Sequence, residues 1–156
     1  MNTKLVPLKE EFIAKQLLLE NARVQLKKEF VGLDKIIDEL LNNIRSWFTL
    51  NSIQEKPMIV NLWGLTGVGK TALLERMVYL IDQKEIYYRF DLGDKSNNNS
   101  LRAGIEQLCG FNEDYPVIIT LDEFQHARTL EATQKKEINK ESNRQVWDLI
   151  DSGKIS

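Results

Sequence analysis

Residues 64–71 read Gly-Leu-Thr-Gly-Val-Gly-Lys-Thr. They fit the phosphate-loop pattern G-x-x-x-x-G-K-[ST] at every fixed position. Glycines let a backbone wrap closely round phosphate oxygens and take positive φ where a turn demands it. Consecutive N–H groups in such a turn form a concave anion site. A helix that begins there adds its own N-terminal N–H groups and the positive end of its dipole. In this pattern Gly64, Leu65, Thr66, Gly67, Val68, Gly69, Lys70 and Thr71 surround the phosphates of a nucleotide. Lys70 reaches the β- and γ-phosphates, and the Thr71 hydroxyl ligates Mg²⁺.

The flanks suit the loop. Residues 58–63 (Met-Ile-Val-Asn-Leu-Trp) form a mostly apolar run, as a buried parallel strand would. Residues 71–82 hold helix formers and no Gly or Pro. Strand, glycine turn and helix are the context the pattern requires.

A second feature lies downstream. Residues 117–121 (Val-Ile-Ile-Thr-Leu) read as a buried, β-branched strand that ends in Asp122 and Glu123. An Asp at the carboxyl end of such a strand can hold Mg²⁺, and an adjacent Glu can polarise an attacking water. The chain between Lys70 and Asp122 has room for a helix, a strand and a second helix. The strand is residues 85–92, with Ile86, Tyr88 and Phe90 on one face and Tyr87, Arg89 and Asp91 on the other, a half-exposed alternation. Residues 101–109 read as a short helix stopped by Gly110, and residues 146–150 as an apolar helical turn after a charged stretch. Ahead of the loop, residues 8–30 read as an amphipathic helix, with Phe12, Ile13, Leu17, Leu19, Leu26 and Phe30 among charges. It serves either as packing for the domain or as a connector or partner-binding helix. Gly32 punctuates, and residues 33–48 form a second helix with Ile36, Ile37, Leu40, Leu41, Ile44 and Trp47 at helical spacing. Strands alternating with helices predict an α/β protein with a parallel sheet.

The 156 residues suggest one domain, and 42% hydrophobic with 28% charged residues is ordinary for a folded chain. A net charge of −2 offers no broad basic field for nucleic acid. Cys109 and His126 are the only residues of their kinds, which excludes an internal disulfide and makes a transition-metal cluster a poor expectation. No apolar run reaches the roughly 20 residues that span a bilayer, so no membrane partner is expected and a cytoplasmic location is the default. Trp47, Trp63 and Trp147 are expected in packing, with Trp63 placed to report on the loop.

Residues 64–71 together with 117–123 resemble the Walker A and Walker B pair of the AAA+ ATPases and of their signalling relatives, the STAND NTPases. Glu29-Phe30-Val31-Gly32-Leu33-Asp34 resembles the segment that opens many AAA+ domains, which implies that Phe30, Val31 and Gly32 lie near adenine. The loop is similar to that of Clp-type unfoldases, although Leu65 stands where those often carry proline. The resemblance covers residues 29 onward and implies a three-layer α/β/α P-loop core with ATP and Mg²⁺ as ligands. Residues 1–28 become a preceding helical segment, and residues 29–156 the core. It implies that Lys70 and Glu123 are catalytic and that Thr71 and Asp122 hold the metal. The family's sheet order is 5-1-4-3-2, and the chain stops where the fourth strand, the sensor residue, the arginine finger and the lid would follow. It is therefore expected to be the N-terminal part of a longer ATPase that oligomerises through later segments. Alone it is expected to have an incomplete sheet and slow turnover. Arg76, Arg102, Arg128 and Arg144 hold no finger-like position and read as surface residues. The expected activity is ATP hydrolysis that drives remodelling. A STAND-like switch that turns over rarely and a non-catalytic nucleotide-binding fragment remain as alternatives.

Overall fold

A computed structural model of Met1–Ser156 describes residues 5–50, 58–64, 67–91, 117–123 and 151, without the side chains of residues 5–8. Leu65, Thr66, Arg102, Cys109, His126, Arg128, Arg144 and Trp147, with the helices expected over 101–109 and 146–150, lie outside the described residues. The chain divides into two compact units, Met1–Lys84 and Glu85–Ser156.

The first unit is helical. Helix α1 spans Leu5–Glu29, α2 spans Asp34–Thr49 and α3 spans Lys70–Leu80. Each follows from its sequence. In α2, Ile37, Leu40, Leu41, Ile44 and Phe48 recur every three or four residues, and all five are buried. Leu19, Ala22 and Leu26 of α1 share that core, and so do Leu73, Met77 and Val78 of α3 with the following Ile81. Among the described residues every buried apolar side chain lies in this unit. Helix α1 therefore packs on the domain. Its stripe is narrower than the sequence pattern implies, because Ile13 and Leu17 stay exposed.

Ion pairs border the α1–α2 contact. Arg23 and Lys27 of α1 converge on Asp38 of α2, with Lys27 Nζ 2.7 Å from the carboxylate. Arg23 also donates to Asn42 at 3.0 Å, and Arg45 donates to Glu20 at 3.1 Å. The Lys27 ammonium, and after it the Arg23 guanidinium, hold the Asp38 carboxyl below its ordinary range.

The end of α3 is closed by its own backbone. Asp82 takes φ +57, the Asp82 N–H donates to the Tyr79 carbonyl at 3.2 Å, and the Gln83 N–H donates to Val78 at 3.0 Å. This pair of bonds is a Schellman closure with Asp82 in the left-handed position.

The second unit carries two strands, β1 (Tyr87–Asp91) and β2 (Ile118–Asp122), with a 3-10 turn at Lys84–Ile86 leading into β1. They pair directly and in parallel, Tyr87 opposite Ile118 through Asp91 opposite Asp122. The protein is thus mixed helix and parallel strand, as the alternating pattern predicts.

Two expectations change. Residues 58–63 form neither helix nor strand, because an apolar run supplies strand propensity and a ladder needs a partner as well. Strand β2 is half-buried along its whole length rather than buried. Among the described residues the sheet has two strands, β1 and β2, paired with each other.

Candidate functional site

The loop that opens α3 is shaped by its glycines. Gly64, Gly67 and Gly69 have φ of +152°, +80° and +86°. Gly69 is the residue that caps α3, and it sits in the left-handed region. A β-carbon on Gly69 would meet no heavy atom within 4 Å. Glycine is there for its dihedral, not for space.

A glycine cap has a second effect. Helices commonly satisfy their first N–H groups with an Ser, Thr, Asp or Asn side chain at this position. Gly69 has no side chain with which to cap α3, so its contribution to the helix start is its left-handed backbone.

Lys70 is the first residue of α3, and its ammonium reaches back across the loop to donate to the Gly64 carbonyl at 2.8 Å. The bond joins the two ends of the octapeptide and keeps the positive charge over the turn. Thr71 follows in the first helical turn and is half-buried. Val68 is exposed. Trp63 is 86% exposed, which corrects its expected packing role. It follows residues that join no ladder, so no sheet face covers it.

Val31 and Gly32 lie in the turn between α1 and α2. The Leu33 N–H donates to the Phe30 carbonyl at 3.2 Å, and Gly32 has φ +85° at the third position, as a type II turn requires. Val31 is 88% exposed.

Asp122 and Glu123 belong to the second unit. Asp122 ends β2 directly opposite Asp91 at the end of β1, which places two carboxylates at the carboxyl edge of a parallel pair. Open parallel sheets bind ligands at that edge. Arg89 donates to Asp122 Oδ2 at 2.7 Å. The Glu123 N–H donates to Asp122 Oδ1 at 3.0 Å, and Glu123 itself takes φ +54. Asp122 is thus oriented through both oxygens. Glu123 is in a conformation that costs a residue with a β-carbon about 1 kcal/mol. Non-glycine residues held there cluster at functional sites.

Sequence reasoning passed over Arg89. It lies two residues before Asp91, and only the strand register brings it beside Asp122. Arg76 is also more than a surface residue, because it forms a two-pronged ion pair with Glu29. Among the described residues no three His, Cys, Asp or Glu cluster as a metal cage, and no helix is long and apolar enough to cross a membrane.

No protein-family model, curated protein or solved structure matches the chain.

Proposed function

We propose that the chain binds ATP and belongs to a Mg²⁺-dependent ATPase of the AAA+ type. The observation that carries this reading is the loop itself: left-handed glycines lead into α3, and Lys70 is folded over them onto Gly64. Such a turn presents backbone N–H groups and one ammonium to an anion, which suits a polyphosphate. The direct parallel pairing of β1 and β2 also agrees with the neighbouring second and third strands of the P-loop order.

On this reading the loop amides of residues 64–69 and Lys70 bind the β- and γ-phosphates. The Thr71 hydroxyl and the Asp122 carboxylate are hard oxygen donors of the kind Mg²⁺ takes alongside water and phosphate, without a cage of three carboxylates. When bound, Mg²⁺ offsets the charge of the phosphate oxygens. Arg89 holds the Asp122 carboxylate in place meanwhile. Glu123 orients and deprotonates the attacking water, and the turn at Val31 and Gly32 supplies an apolar surface for the base. A cytoplasmic ATPase that remodels a partner within an oligomer completes the proposal.

Trp63 makes the test direct, because an exposed indole adjoins Gly64. Titration with Mg-ATP is expected to change its fluorescence and give a dissociation constant. Lys70→Ala should weaken that binding by about a hundredfold, as loss of a charged phosphate contact does. Glu123→Gln should retain ATP while removing any phosphate release. Equal binding by the wild type and Lys70→Ala would overturn the reading.

A further inference from the structure

One ion pair joins segments 47 residues apart. Arg76 Nε donates to Glu29 Oε2 at 2.7 Å, and Arg76 Nη2 donates to Glu29 Oε1 at 2.7 Å. Two parallel bonds between a guanidinium and a carboxylate fix separation and plane together. Each partner is also held by its own helix. Gln25 donates to Glu29 Oε1 at 2.7 Å, and the Arg76 guanidinium lies 5.2 Å from the Tyr79 ring centroid. Arg76, and after it Gln25, hold the Glu29 carboxyl down at about 2, against an ordinary 4.5.

The position of the pair matters. Glu29 is the last residue of α1, and the turn that carries exposed Val31 begins immediately after it. That turn is short and closed by the Leu33–Phe30 hydrogen bond. Arg76 lies on α3, about 9 Å along the helix from Lys70 at the usual rise per residue. One fork therefore fastens an apolar turn to the helix that carries the phosphate loop.

We propose that Glu29 and Arg76 are a positioning pair, which sets the 30–33 turn against the phosphate-loop helix so that a ligand's base meets the turn while its phosphates meet the loop. This rests on the nucleotide-binding reading. It assigns the pair a role in affinity for a nucleoside triphosphate and none in affinity for bare polyphosphate.

The experiment uses the full chain and two probes, Mg-ATP and magnesium tripolyphosphate, which has the phosphates without the base. Binding is measured by calorimetry for Glu29→Gln, for Arg76→Lys and for the exchanged double variant Glu29→Arg, Arg76→Glu. Thermal unfolding of each is recorded alongside. Arg76→Lys keeps the charge and loses the fork. Each single variant is expected to weaken ATP about tenfold and leave tripolyphosphate unchanged, with ATP binding recovered in the double variant. Parallel losses for both probes, no loss for either, or a folded double variant that stays weak would overturn the proposal. Lys70→Ala separates the two levels. If the wild type binds neither probe, or binds both no better than Lys70→Ala, the nucleotide reading fails and the positioning role falls with it. If binding depends on Lys70 and the pair variants do nothing, the positioning role alone fails.

Discussion

Gly69 shows how much of the loop rests on one dihedral. At φ +86° an added β-carbon clashes with its own backbone, although no neighbour stands within 4 Å. Gly69→Ala is therefore expected to cost about 1–2 kcal/mol through backbone strain alone. Urea unfolding followed by helical circular dichroism would measure it. An Ala variant as stable as the wild type would show that the residue is not held left-handed in solution. The loop was legible from sequence because its chemistry is local: eight consecutive residues carry the turn, the charge and the helix start. Glu123 was legible as a carboxylate beside a strand end, but its left-handed backbone was not, since nothing in Leu-Asp-Glu-Phe encodes it.

At the scale of elements, the helices are the part that periodicity reads well. The expected 33–48 is found as Asp34–Thr49, and the expected 71–82 as Lys70–Leu80. The end of α3 carries a test of its own. Asp82 occupies the left-handed closing position that glycine fills best, and it puts a carboxylate near the negative end of a helix dipole. Asp82→Gly is expected to stabilise the helical unit by about 0.5–1 kcal/mol net of the entropy glycine loses on folding. A rise of several degrees in midpoint temperature would register it, and a fall would mean that the Asp82 side chain holds the turn. Strands are harder to read, because a strand is a relation between segments. The run 58–63 has the composition and no ladder, whereas β1 and β2 have both. For the same reason the Arg89–Asp122 and Glu29–Arg76 pairs were invisible in sequence. Each depends on a register or a packing that brings distant residues together.

At the scale of the whole molecule, apolar burial and most ion pairs among the described residues lie in Met1–Lys84. That unit should therefore respond to acid through Glu29 and Asp38. Glu29 titrates at about 2 when folded and near 4.5 when the chain is open, while Asp38 is also held below its ordinary 3.8. Between those values the unfolded chain binds more protons than the folded one, so acidification favours unfolding. The stability contributed by the Glu29 pair is complete above about pH 4.5 and is lost as the pH falls toward about 2; the Asp38 contribution is likewise lost on acidification. Urea midpoints of the helical signal, taken at steps across that window, should decline steeply for the wild type. A Glu29→Gln, Asp38→Asn variant should be less stable at neutral pH and much flatter through the window, because its amides have no proton to gain. An unchanged slope in that variant would mean that other carboxylates govern the acid transition. It would also mean that the ties from α1 to α2 and α3 are weaker in solution than their bond lengths suggest.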